Sequence, residues 1–349
     1  MTPKAVSQRP GFARPRALRF IGLALLLVVV GTVVRLGVAV HRVAPQTGPG
    51  DVVALVFPPE ARDGSLPQRI ASDERINILL MAYGGAGGDD ENLTDTMVVM
   101  SIRPGSHQAS VISLPRYLWV KIPAPTNGAI EGKLYAAYAL GSSQNGQFLR
   151  PEWLTPTGPG DLAAATVGET IGLSIDYWVA IDSDGFEAVI DALGGVRITV
   201  PEALDDPNYP DGDTGRTKHI HFDAGPQLLQ GRRALEYARS RLSTSEADRV
   251  HRQELVLFGI LEDLRAPRFG LGLISSVGPL ENGLRTNMRP LEIRELGQLV
   301  GAIRLGAVKK IDLGASELLE LKSLETGPIL VPRDGTYQAL KDYIAGQVP

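Results

Sequence analysis

The sequence predicts an α/β layered domain on one central sheet, set behind a membrane-spanning segment. Short apolar runs of strand length alternate with amphipathic stretches of helical length, and glycine and proline clusters separate them. A long apolar run near the N-terminus follows a basic stretch. The 349 residues are enough for one large domain or two small ones, and 44% hydrophobic with 21% charged residues is the make-up of a folded chain. The net charge of −4 argues against a general nucleic-acid binder, which needs an excess of basic groups against phosphate. The absence of cysteine removes disulfides, thiolate metal sites and cysteine nucleophiles together.

Residues 1–19 carry Lys4, Arg9, Arg14, Arg16 and Arg19 and no acid, and read as a cytoplasmic basic tail. Residues 20–40 read as a transmembrane helix. About 20 residues at a rise of 1.5 Å cover roughly the 30 Å hydrocarbon core, and Arg35 near the far end can snorkel. The basic flank places the remaining chain outside the cell membrane. The length of the run, the arginine within it and the absence of a clear small-x-small cleavage site after it favour a retained signal-anchor over a cleaved signal peptide. Residues 41–75, rich in proline and glycine, read as a linker. Residues 76–349 form the extracytoplasmic domain.

Within that domain, strands are expected at Ile76–Met81, Thr96–Ile102, Ala109–Leu114, Tyr177–Ile181, Val196–Val200 and Ile329–Val331. Helices are expected at Glu131–Leu140, Leu162–Ile171, Asp184–Leu193, Gly231–Tyr237, Ala247–Leu264, Arg289–Ile303 and Tyr337–Ile344. Ser183 or Asp184 would cap the third helix, and Gly194-Gly195 would stop it. Residues 202–224 read as turn-rich and polar.

Three constellations bear on chemistry. Arg249, Arg252 and Gln253 stand at i, i+3 and i+4 near a helix N-terminus, with Arg239 and Arg241 just upstream. Guanidinium forks converging where helix-end N–H groups point can hold a diphosphate without a P-loop. Glu246 could orient one of them. A solvated amphipathic helix gives the same charge pattern. The second constellation is the glycine-rich loop Gly84–Gly88 with Asp89, Asp90 and Glu91, leading to Asp95 at the head of a strand. Carboxylates gathered there suit Mg2+, although a turn with solvated acids reads the same way. The third is Ser113-Leu114-Pro115-Arg116, where proline fixes the direction in which Arg116 leaves its strand, with Lys133 at the start of the next helix. No Gly-x-Ser-x-Gly elbow occurs, and His219 and His221, two residues apart in a polar stretch, read as exposed.

The order of these pieces resembles the LytR-CpsA-Psr family. The motifs are Thr94-Asp95-Thr96-Met97, Ser113-Leu114-Pro115-Arg116, Lys133-Leu134-Tyr135-Ala136-Ala137-Tyr138, Ile181–Phe186, Gly194-Gly195-Val196, Tyr237-Ala238-Arg239-Ser240-Arg241 and Arg249-x-x-Arg252-Gln253, all within 76–265. The resemblance implies a three-layer α/β/α sandwich with a central mixed sheet and an apolar pocket for a polyprenyl tail. It implies a phosphotransferase that attaches an undecaprenyl-diphosphate-linked glycopolymer (a teichoic acid, capsule or similar polymer) to peptidoglycan through a phosphodiester, in cell wall biogenesis. It implies Mg2+ or Mn2+ at the diphosphate, with Asp95 as metal-associated aspartate. Arg116 would be the essential arginine, and Lys133, Arg239, Arg241, Arg249 and Gln253 would hold the diphosphate. Two departures are plain: the family's aspartate after the first strand is missing, since Met81-Ala82-Tyr83-Gly84 stands there, with Asp89 its expected substitute at the metal, and Leu93-Thr94 stands where the family often carries an arginine. A lipid-diphosphate hydrolase and a non-catalytic polyprenyl-phosphate-binding envelope regulator remain as other classes.

Overall fold

The computed structural model describes residues 44–46, 48, 51, 65–84, 92–142, 148–211, 216–240, 246–263 and 283–349. In chain order the elements are α1 (Leu66–Ala71), β1 (Ile76–Tyr83), β2 (Thr94–Arg103), β3 (Gln108–Leu114), β4 (Trp119–Ile122), β5 (Ile130–Lys133) and α2 (Ala136–Ser142). Next come α3 (Gly158–Ile171), β6 (Tyr177–Ile181), α4 (Ser183–Ala192), β7 (Val196–Val200), β8 (Leu204–Pro210), β9 (Thr217–Phe222), β10 (Gly225–Leu229) and α5 (Gly231–Arg239). The remainder are α6 (Glu246–Asp263), β11 (Leu284–Thr286), α7 (Pro290–Ala302), β12 (Lys309–Asp312), β13 (Leu319–Leu324), β14 (Gly327–Pro332) and α8 (Gln338–Gln347).

Six strands make the central sheet in the order β11-β6-β1-β2-β3-β12. It is mixed: β1 runs antiparallel to β2 and parallel to β6, β3 is antiparallel to β2 and parallel to β12, and β11 is antiparallel to β6. Successive side chains of a strand point to opposite faces. Leu79, Met81, Met97, Val99, Ile112 and Leu114 therefore pack on one side, against Leu162, Val167 and Ile171 of α3 and Leu340 and Ile344 of α8. Ile76, Ile78, Val98, Met100 and Val111 pack on the other, against Leu66 of α1, Leu261 of α6 and Leu296 and Leu299 of α7. Helices thus cover both faces, which is why the inner strands read as continuous apolar runs. A third apolar cluster joins α4, α5 and Val256 of α6 to the strands β7–β10.

Each of the six expected strands lies within or across an observed one, and six of the seven expected helices correspond to observed helices. The exception is Glu131–Leu140. Its first part is β5, paired antiparallel with β4, and the helix begins only at Ala136. Lys133 therefore ends a strand and does not start a helix. Residues 202–224 hold the hairpin β8–β9, whose alternation is broken by a bulge between Asp206 and Tyr209, so its period of two was hidden. The cap of α4 is Asp182, one residue before the expected position; its Oδ1 accepts from Gly185 N at 2.8 Å. Gly194 and Gly195 stop α4 at φ of 77° and 99°, a conformation glycine adopts without a Cβ clash. The expected transmembrane segment, residues 20–40, lies outside the described residues, and among those no helix is long and apolar enough to cross a membrane.

The packing of α3 on the sheet yields one prediction. Trp178 of β6 is buried, and its ring nitrogen donates to Asp161 Oδ1 at 2.8 Å. A Cβ on Gly160 would stand 2.2 Å from Cε2 of that ring. Gly160→Ala is expected to lower stability by about 1–3 kcal/mol through overpacking, read as a fall in the urea midpoint; an unchanged midpoint would contradict this packing.

Candidate active site

Between the α6-bearing face of the sheet and helices α4, α5 and α6 lies a cavity of about 700 Å³. Its apolar wall includes Leu80 and Val179 of the sheet, Phe186 and Val189 of α4, Leu235 of α5, and Val256, Leu257 and Ile260 of α6. Its polar lining includes Asp95, Arg116, Arg239, Arg249 and Gln253, five of the residues singled out in the sequence.

Strand register explains the central pair. Met97 of β2 stands opposite Leu114 of β3. Continuing the antiparallel register by two residues brings Asp95 opposite Arg116, on the far side of Pro115. The Arg116 Nη1 donates to Asp95 Oδ1, with side chains 17% and 27% exposed, so this ion pair is partly shielded from solvent. Arg116 Nη2 donates to the Tyr117 hydroxyl at 2.6 Å, and its guanidinium lies 4.5 Å from the centre of that ring. Arg249, which is buried, donates from Nη1 to the Asp95 carbonyl at 3.3 Å. Arg239, at the exposed end of α5, donates to Ser183 Oγ at 3.2 Å. One backbone position, Asp95, is therefore gripped through its side chain by β3's extension and through its carbonyl by α6.

The structure separates other expected ligands from this group. Arg252 does not line the cavity. Its Nε donates to the Tyr237 carbonyl at 3.0 Å and its Nη2 to the Ser240 carbonyl, both buried. The spacing i, i+3, i+4 does make one helix face, but at about 100° per residue Arg252 falls on the flank away from Gln253. Burial also pushes its guanidinium below the ordinary value. Lys133 is likewise outside the lining. Its Nζ donates to the Thr326 carbonyl at 2.8 Å and sits 5.4 Å from the Tyr117 ring, which also meets Arg116 and the edge of Tyr135. Arg241 and Asp89 lie outside the described residues, and so does the side chain of Glu246, the first residue of α6. His219 and His221 are exposed on β9 and contact Asp205 at 2.7 and 3.0 Å, away from the cavity. These hydrogen bonds hold the Asp205 carboxyl below its usual range and push His221 up.

Some lining residues had no place in the sequence reading of the site. Tyr117 was hidden because it is an ordinary aromatic after a motif. Glu254 left a signal, a lone acid entering an apolar helical stretch. It is 7% exposed, accepts from Ser113 Oγ at 3.0 Å, and lies 3.8 Å from Lys310 Nζ. Asp182 lines the cavity too, with one carboxylate oxygen committed to capping α4.

Among the described residues no group of three or more His, Asp or Glu gathers as a metal site, and the Asp95 carboxylate already accepts from Arg116 through Oδ1. Asp95 offers a carboxylate in the cavity, and Mg2+ typically takes only one or two protein carboxylates beside waters and substrate phosphate oxygens.

A family model described as the LytR_cpsA_psr family matches residues 58–324. The polyisoprenyl-teichoic acid–peptidoglycan teichoic acid transferase TagU of Oceanobacillus iheyensis is 31% identical over 216 residues, 60% of this chain and 59% of that protein. TagV of Bacillus subtilis, named for the same activity, is 25% identical over 227 residues, 64% of this chain and 52% of that protein. The matches thus span 59% and 52% of the length of these two relatives. A solved structure of TagT bound to LI-WTA has a TM-score of 0.58 at 21% identity, covering 82% of this chain and 94% of that one, and so shares the fold. Since the matched region, 58–324, takes in more than half of the 349 residues, the chain belongs to the LytR-CpsA-Psr family.

Proposed function

We propose that this chain is a phosphotransferase that moves a glycopolymer from a polyprenyl-diphosphate carrier onto peptidoglycan. The observation that carries the reading is one cavity with both required surfaces: three arginines for a diphosphate and an apolar wall along α6 for a lipid tail. The names of the relatives, polyisoprenyl-teichoic acid–peptidoglycan teichoic acid transferases, support it. The proposed setting is a single N-terminal anchor at residues 20–40, with the cytoplasmic tail before it and the catalytic domain on the outer side, supported by the basic flank and apolar run.

In this reading Arg116, Arg239 and Arg249 neutralise the diphosphate, with Gln253 as a further hydrogen-bonding group on the same helix. An acceptor sugar hydroxyl attacks the glycan-side phosphorus, its new P–O bond forming as the bond to the polyprenyl phosphate breaks. The hydroxyl proton passes to a carboxylate of the site, Asp95 or Asp89. Such transfer requires chiefly positioning and charge stabilisation. Asp95, with Asp89 as second donor, would hold Mg2+ or Mn2+; when bound, the ion supplies Lewis-acid neutralisation of phosphate oxygens. The Asp95–Arg116 pair keeps both groups oriented before substrate arrives, and the Tyr117 hydroxyl holds the other end of the Arg116 fork by accepting from Nη2.

Three outcomes are expected. Arg116→Ala should lower kcat for transfer by about 10²–10³-fold with a lipid-linked donor and peptidoglycan acceptor, leaving the folded state intact by circular dichroism; undiminished transfer would remove Arg116 from the reaction. Ile260→Trp should fill the apolar wall and raise KM for a long-chain donor much more than for a short-chain one; equal effects would argue that the tail binds elsewhere. Chelation should suppress transfer, and added Mg2+ or Mn2+ should restore it, whereas chelator-resistant transfer would exclude the metal from the step. In the same assays, phosphoglycan released without acceptor would favour a hydrolase, and metal-independent lipid binding without product a regulator.

A further inference from the structure

Outside the cavity, a cluster of buried polar groups lies between the β8–β9 hairpin and the end of α5. Asp206 is fully buried, and Ser240 and Arg252 are 1% and 5% exposed. Asp206 Oδ2 accepts from Ser240 Oγ at 2.6 Å, and Oδ1 accepts from Asn208 N at 3.1 Å. Ser240 in turn offers its carbonyl to Arg252. A buried carboxylate is expensive unless its oxygens are engaged, so this arrangement has a large tendency to keep its geometry. Its position gives it a consequence. Ser240 is the residue at which the chain leaves α5, with φ −53° and ψ 133°, and it directly follows Arg239. Helices often end on a glycine; here the exit is set by a side-chain bond to another element. The same hairpin grips α5 a second time, through Lys218 of β9 and buried Glu236 at 2.7 Å.

We propose that the β8–β9 hairpin is a brace for the diphosphate site, and that Asp206 is a positioning residue which aims Arg239 into the cavity by holding Ser240. This rests on the reading of Arg239 as a diphosphate ligand. The brace explains why Arg252, in the same motif as Arg249, faces away from substrate: it closes the Ser240 side of the lock.

The test is a double-mutant cycle on the full chain in detergent micelles, with geranylgeranyl diphosphate affinity read by calorimetry. Asp206→Ala should weaken binding by about tenfold and should weaken it no further when Arg239→Ala is already present. Asp206→Asn, which keeps one acceptor oxygen, should recover part of the loss. Ser240→Ala, which removes only the hydroxyl, should repeat the pattern should Asp206→Ala fail to fold. Wild-type affinity in both Asp206→Ala and Ser240→Ala would overturn the brace. So would an equal loss with and without Arg239, because that is the mark of a general structural defect. Arg239→Ala alone reports on the underlying reading: if it binds like the parent chain, Arg239 is no ligand and the brace falls with it.

Discussion

The ion pair between Asp95 and Arg116 organises the rest of the site. It forms because β2 and β3 are antiparallel in one register, so the residues just beyond the Met97–Leu114 pair meet across the strand ends. A one-residue slip would move the side chains of a strand to the opposite face. That slip is opposed by apolar packing on both faces, since Met97 and Leu114 belong to one core and Val98 and Val111 to the other. Site geometry and core packing are thus fixed by the same register. Arg249 then ties α6 to the backbone at Asp95, which sets the cavity's apolar helix against its polar lining.

The division of labour among the arginines follows from burial. Arg239 is exposed at a helix end; Arg249 is buried but lines the cavity; Arg252 is buried among backbone carbonyls. Three guanidiniums of equal chemistry therefore serve as rim, floor and internal strut. A fork with five donors suits all three settings, because it can satisfy several acceptors in a plane. Lysine offers no such fork, and Lys133, placed by the end of β5, stands outside the cavity lining over the tyrosine rings.

Much of the fold was legible in the sequence, because strands buried on both faces are apolar runs and helices carry a clear period. The site was legible where motif residues sit at strand ends, as Asp95 and Arg116 do, since a strand end has a fixed direction. It was less legible on helices, where i+3 and i+4 spacing put Arg252 with Gln253 although about 100° of rotation separates them. Lys133 was misplaced because Gly132 interrupts any strand signal in a four-residue hairpin arm. The β8–β9 hairpin escaped notice because its bulge at Pro207-Asn208 breaks the alternation, and with it went Asp206, whose importance is entirely tertiary. Glu254 lay in view as an acid in an apolar stretch, but only contact with Ser113 identifies it as cavity lining.

In the proposed reading, one cavity holds both the diphosphate and the polyprenyl tail. A crystal structure of the chain with geranylgeranyl diphosphate tests it most directly. Phosphate oxygens are expected within hydrogen-bonding reach of Arg116, Arg239 and Arg249, with the tail running along Val256, Leu257 and Ile260 of α6. Density for the diphosphate elsewhere, or for the tail on the outer surface with the cavity empty, would contradict it.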